Sequence, residues 1–135
     1  MRAGLVRPFR PTELNAETLE FFRLPALLED LKGQDEYERS GMSAVTLARD
    51  GHVTLVLVAL RKGSVMREHR APSAALVLLL SGRASFVAGS DGARTDLEPS
   101  SLAAFSADVP HAVEALDDAA YLVIIGGRDR RGAAS

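Results

Sequence analysis

Three stretches of this chain are too continuously apolar to be half-buried strands: Val53 to Leu60, Ala74 to Leu80 and Ala120 to Ile125. A strand with one face in water alternates apolar and polar residues, because successive side chains point to opposite faces. These three do not alternate, so both of their faces need cover. Shorter runs surround them: Val45 with Leu47, the alternating Arg83 to Ala88, Arg94 to Leu97, Leu102 to Phe105 and Ala112 to Leu116. The dipeptides Asp50-Gly51 and Asp91-Gly92 mark tight turns. About nine short strands at turn spacings of about 8 to 12 residues predict an all-β sandwich or small barrel.

The flanks read differently. Met1 to Pro11 has three arginines, two prolines and no acid, an extended arm that is either mobile or laid on a neighbour. Between Thr12 and Leu31 the leucines and phenylalanines fall at helical spacings. Asn15 is placed as the N-cap of a first helical piece, Pro25 fits the first turn of a second, and Gly33 would stop it. Phe21 and Phe22 read as core or interface. Gln34 to Gly41 is polar and reads as mobile, and the tail after Gly126 has no large apolar residue and reads as disordered. The expected organisation is therefore 1–42 for arm and short helices, 43–126 for the barrel and 127–135 for the tail. The helices cover part of the doubly apolar sheet, and a second copy packed sheet to sheet is expected to cover the rest, making a homodimer.

Composition removes several functions. The 135 residues include no cysteine, so disulfides, thiolate metal sites and cysteine nucleophiles are excluded. A formal charge of −2, with Lys32 and Lys62 the only lysines, gives no basic footprint for nucleic acid. No apolar run approaches the roughly 20 residues that span a bilayer, and the N-terminal residues lack a signal-peptide core, so a cytoplasmic protein without membrane partners is expected. Ser85, Ser101, Ser106 and Tyr121 stand in no nucleophile motif, and there is no glycine-rich phosphate loop or dinucleotide fingerprint.

Two stretches carry the chemistry. Gly63-Ser64-Val65-Met66-Arg67-Glu68-His69-Arg70-Ala71-Pro72 runs on to Gly82-Arg83, and Pro99-Ser100-Ser101-Leu102 runs on to Val109-Pro110-His111. Each sets one histidine beside a proline between apolar runs. Together they resemble the two signature motifs of the cupin superfamily over about Ser43 to Gly126. Gly63, His69 and Gly82 stand at the family's spacing, while Ala71 replaces a second histidine and Ala75 a glutamate. In the second motif His111 is present, and Ser100, Ser106, Asp108 and Ala115 replace glycine, proline, glycine and asparagine. Leu80-Ser81-Gly82-Arg83 is similar to a turn common in small single-domain cupins.

The resemblance implies an RmlC-like double-stranded β-helix, a jelly-roll barrel with one or two short N-terminal helices outside it. It also implies a pocket formed by His69, Ala71, Ala75, Val77, His111 and Val113. Family members commonly hold iron, manganese, nickel, copper or zinc through three histidines and a carboxylate; here only His69 and His111 remain, a weak set for a metal. Glu68 and Glu114 flank them, but a one-residue offset on a strand turns a side chain to the other face, unless a bulge near Pro72 reverses the parity. Arg67, Arg70 and Arg83 either line the mouth, where arginine would pair with a carboxylate or phosphate, or form a solvated face. His52, next to a turn, is expected to be exposed and without a role.

Three readings of function stand at this point. One is a small-molecule-binding barrel with a degenerate metal site, its histidines part-buried and bonded through water. The second is a metal-dependent enzyme of dioxygenase, isomerase or decarboxylase type using His69 and His111. The third is an assembly or stress-linked protein with no ligand.

Overall fold

The computed structural model describes residues 1–5, 9–89 and 91–126. The tail expected to be disordered lies outside the described residues. Among these residues the chain forms ten strands and two helices: β1 (Thr12–Glu13), α1 (Leu24–Lys32), α2 (Asp35–Ser40), β2 (Met42–Arg49), β3 (Val53–Leu60), β4 (Val65–His69), β5 (Ala75–Ser81), β6 (Ala84–Ala88), β7 (Ala93–Leu97), β8 (Leu102–Phe105), β9 (His111–Ala115) and β10 (Ala119–Gly126). No helix among them is long and apolar enough to cross a membrane.

The strands make two sheets, one ordered β1-β2-β3-β10-β5-β8 and the other β4-β9-β6-β7. All pairings are antiparallel except the short β1–β2 contact. Neighbours in space are mostly distant in sequence, as in a jelly roll. The inner faces meet in one core: Val58 and Leu60 from β3, Val77 and Leu79 from β5 and Tyr121 from β10 pack on Phe86, Leu97 and Val113 of the smaller sheet.

The outer face of the larger sheet explains the runs without alternation. Leu57 and Ala59 of β3, Leu47 of β2 and Leu122 of β10 are buried under Leu27 and Leu31 of α1 and Tyr37 of α2. The central strands are apolar twice over because one face meets the second sheet and the other meets the helices. Each large side chain fully buried this way contributes about 1.5–3 kcal/mol.

Two expectations about the helices are corrected. The stretch before Leu24 is not helical: Glu17 adopts φ +68°, and Asn15 closes a turn on Thr18, with the Thr18 hydroxyl donating to Asn15 Oδ1 at 2.6 Å. Asn15 thus turns the chain instead of capping a helix. Phe22 bridges Arg2, and Leu19 and Phe21 face solvent at 76% and 59% exposure. Conversely, the polar segment expected to be mobile holds α2. Its first turn carries Asp35, Glu36 and Glu38, the favourable charge for a helix start. Its last carbonyls, of Tyr37 and Glu38, accept from Arg61 Nη1 at 3.3 and 3.1 Å, and Gly41 closes it at φ +78°.

The strand crossings depend on left-handed backbone. Gly82, between β5 in one sheet and β6 in the other, has φ +77°, and a Cβ there would collide with the Asp118 carbonyl. At two positions where the family motif expects glycine, Ser100 and Asp108 keep the positive φ, at +74° and +66°, without it. Asp tolerates this region better than most residues; Ser gains less from it.

In urea unfolding, Gly82→Ala is expected to lose at least about 2 kcal/mol, combining left-handed strain with a backbone clash. Ser100→Gly is expected to gain about 0.5–1 kcal/mol by relieving strain. A Gly82→Ala protein as stable as the parent would show that the crossing does not depend on this residue.

Candidate functional site

The two histidines meet because β4 carries one residue too many. Met66 stands opposite Val113, and the next paired position sets His69 opposite His111, so three steps along β4 match two along β9. Without that extra residue, simple alternation from the inward Met66 would turn His69 outward. The bulge at Arg67-Glu68 restores His69 to the side of His111. Their ring centroids lie 4.0 Å apart at 61°.

Each ring is fixed by its own strand. His69 Nδ1 lies 2.9 Å from the Arg67 carbonyl and His111 Nδ1 3.0 Å from the Val109 carbonyl. A carbonyl only accepts, so each Nδ1 carries the hydrogen and the neutral ring keeps its lone pair on Nε2. His69 is exposed, whereas His111 is only 5% exposed and lies parallel to Phe86, with centroids 5.7 Å apart at 5°, and against Phe105 at 4.5 Å. Burial pushes the His111 pKa below the ordinary histidine value; the bond to Val109 opposes this and the neighbouring His69 reinforces it.

The two motif segments are also stitched together beside the rings. Asp108 N donates to the Ala71 carbonyl at 3.1 Å, and Arg70 Nη1 donates to the Asp108 carbonyl at 3.0 Å. Ala71 and Ala75 are buried, and Val77 and Val113 sit in the inter-sheet core. Glu114 points outward, bonded at 2.9 Å to Arg94, which also donates to Ser85 Oγ. Glu68, Arg67 and Arg83 are exposed, as is His52 beside its turn.

Phe86 and Phe105, which frame His111, were not singled out in the sequence. The alternation of β6 does mark Phe86 as inward, but nothing local announces Phe105. Tyr121 is a third interior group: its hydroxyl donates to Met66 Sδ at 3.7 Å, a weak acceptor, and burial pushes its pKa up.

The donor set for a metal is thin. Alanines occupy the two remaining ligand positions of the motif, and among the described residues no group of three or more His, Asp or Glu converges. Two imidazoles alone do not make the closed or nearly closed set that holds a first-row metal firmly.

No protein-family model matches the chain, and no curated protein matches it. Solved structures do. A cupin 2 conserved barrel domain protein from Leptotrichia buccalis shares 26% identity over 72% of this chain and 46% of its own, with a TM-score of 0.60. An RmlC-like cupin family protein with a double-stranded β-helix fold from Methanocaldococcus jannaschii shares 12% over 74% and 93%, at 0.62. A chain described under the DMSP lyases RdDddP and RnDddQII shares 24% over 64% and 47%, at 0.58. The fold is therefore that of the double-stranded β-helix seen in these cupin structures.

Because native His111 favours the neutral form, the folded state binds fewer protons than the unfolded chain below about pH 6.5. Its contribution is therefore complete above that value and is lost as pH falls through it towards the lower folded pKa. Urea midpoints measured from pH 7.5 down to pH 5 should fall, and His111→Phe should flatten that fall. An equal pH slope in His111→Phe would assign the acid sensitivity to other groups.

Proposed function

We propose that this chain is a small-molecule-binding cupin, a homodimer, whose histidine end takes a ligand without a tightly held metal. The observation that carries this reading is the pair of rings with both Nδ1 hydrogens committed to main-chain carbonyls. That leaves two Nε2 lone pairs for a ligand, with Phe86 and Phe105 against His111 as an apolar wall. Such a mixture of a few directed polar atoms on an aromatic surface suits a small organic molecule. The pocket centres on His69 and His111, with Ala71 and Ala75 giving space where family members place ligating side chains. Val77 and Val113 form its floor.

The homodimer rests on the larger sheet's outer face beyond the helices. There Val53, Leu76, Ala104, Phe105 and Ile124 line a hollow of about 550 Å³, and Leu102 on the edge strand β8 is 55% exposed. An apolar surface continuous with an unpaired strand edge favours association.

Elemental analysis of protein purified without chelator is expected to find no stoichiometric iron, manganese, nickel, copper or zinc. Stoichiometric metal that disappears in a His69→Ala, His111→Ala double variant would replace this reading with the metal-dependent enzyme. Light scattering after size exclusion should give twice the 14.4 kDa chain mass, and Leu102→Glu should shift it towards the monomer. A parent protein that elutes as a monomer at micromolar concentration would remove the dimer.

A further inference from the structure

Arg70 directly follows His69 at the end of β4 and is exposed. Its Nη1 bonds the carbonyl of Asp108, the residue before Val109, whose own carbonyl holds the His111 ring. One short turn therefore positions both the guanidinium and the buried imidazole. A guanidinium carries five N–H donors in a rigid fork, and the Asp108 carbonyl engages a single nitrogen of it.

The acids on the same two segments are Glu68 and Asp108, and the cations are Arg67 and Arg70. Their formal charges cancel within these two segments. Selection rests on directed hydrogen bonds instead. A donor fork held on the same turn that holds the His111 ring is complementary to a molecule with the reverse arrangement, an acceptor carboxylate a few bonds from a donor hydroxyl. We infer that the histidine end binds a small hydroxycarboxylate, its carboxylate on Arg70 and its hydroxyl on Nε2 of the histidine pair. This rests on the binding reading above and adds the ligand class to it.

Two matched pairs of probes separate the contributions: gluconate against sorbitol, and glycolate against ethylene glycol. Each is titrated into the full chain while the His69 and His111 ring resonances are followed by NMR. The hydroxycarboxylate of each pair is expected to shift both rings saturably and to bind at least about tenfold more tightly than its neutral partner, the scale of one charge-assisted bond. Arg70→Gln should remove that preference. Arg70→Lys should remove most of it, because the charge stays and the fork is lost. Arg39→Gln on α2 should leave it unchanged. If a neutral polyol binds as tightly as its acid, or Arg70→Gln binds like the parent while its urea midpoint is unaltered, the hydroxycarboxylate assignment is wrong and the binding barrel still stands. Rings silent towards all four probes also overturn the assignment. Stoichiometric metal on the pair removes the assignment and the binding reading together.

Discussion

The register of β4 against β9 is the constraint from which the site follows. One residue inserted between Met66 and His69 lets an inward thioether and an imidazole set against His111 sit three positions apart on a strand whose simple period is two. β4 is an edge strand of the smaller sheet, paired on one side only. A bulge is tolerated there because it disrupts one ladder instead of two. Shortening β4 by a residue in this region would leave the inter-sheet core nearly untouched and would turn His69 away from His111. The site is thus separable from the stability of the barrel, which resides in the larger sheet and its contacts.

That larger sheet works as a middle layer. Its inner face meets the smaller sheet and its outer face meets α1 and α2, so β3 and β10 are covered on both sides along much of their length. The arm contributes as well: Leu5 N donates to Asp30 Oδ2 on α1 at 2.9 Å, and Leu5 and Phe9 pack on the helical cluster. The helices stop short of the end where β10 finishes and β5 begins. The apolar surface left there includes Phe105, whose ring also lies against His111.

The strands were legible in the sequence because their signals are local. Asp50-Gly51 and Asp91-Gly92 sit at the hairpins, and Gly82 sits where only glycine fits. The failures share a cause. Leu19, Phe21 and Phe22 have a helical spacing, but a left-handed Glu17 and the pairing of Phe22 with Arg2 override it. In α2 the apolar period is absent, and the helix is held by charge at its start and Arg61 at its end, a residue 21 positions beyond Ser40. At the site, His69 and His111 could be named from the motifs, and a bulge could be entertained. Register, however, belongs to a pair of strands and is written in neither alone. Ser100 and Asp108 look like departures from the motif as letters, yet their backbones keep the glycine-like conformation.

The distribution of the aromatic hydroxyls has a practical consequence. The chain has no tryptophan and two tyrosines; Tyr121 lies between the sheets and Tyr37 belongs to the helical cover. Each ring is therefore an intrinsic optical reporter for one layer. Single Tyr→Phe replacements divide the ultraviolet signal between the barrel interior and its outer jacket, so detachment of the helices can be told apart from loss of the sandwich itself.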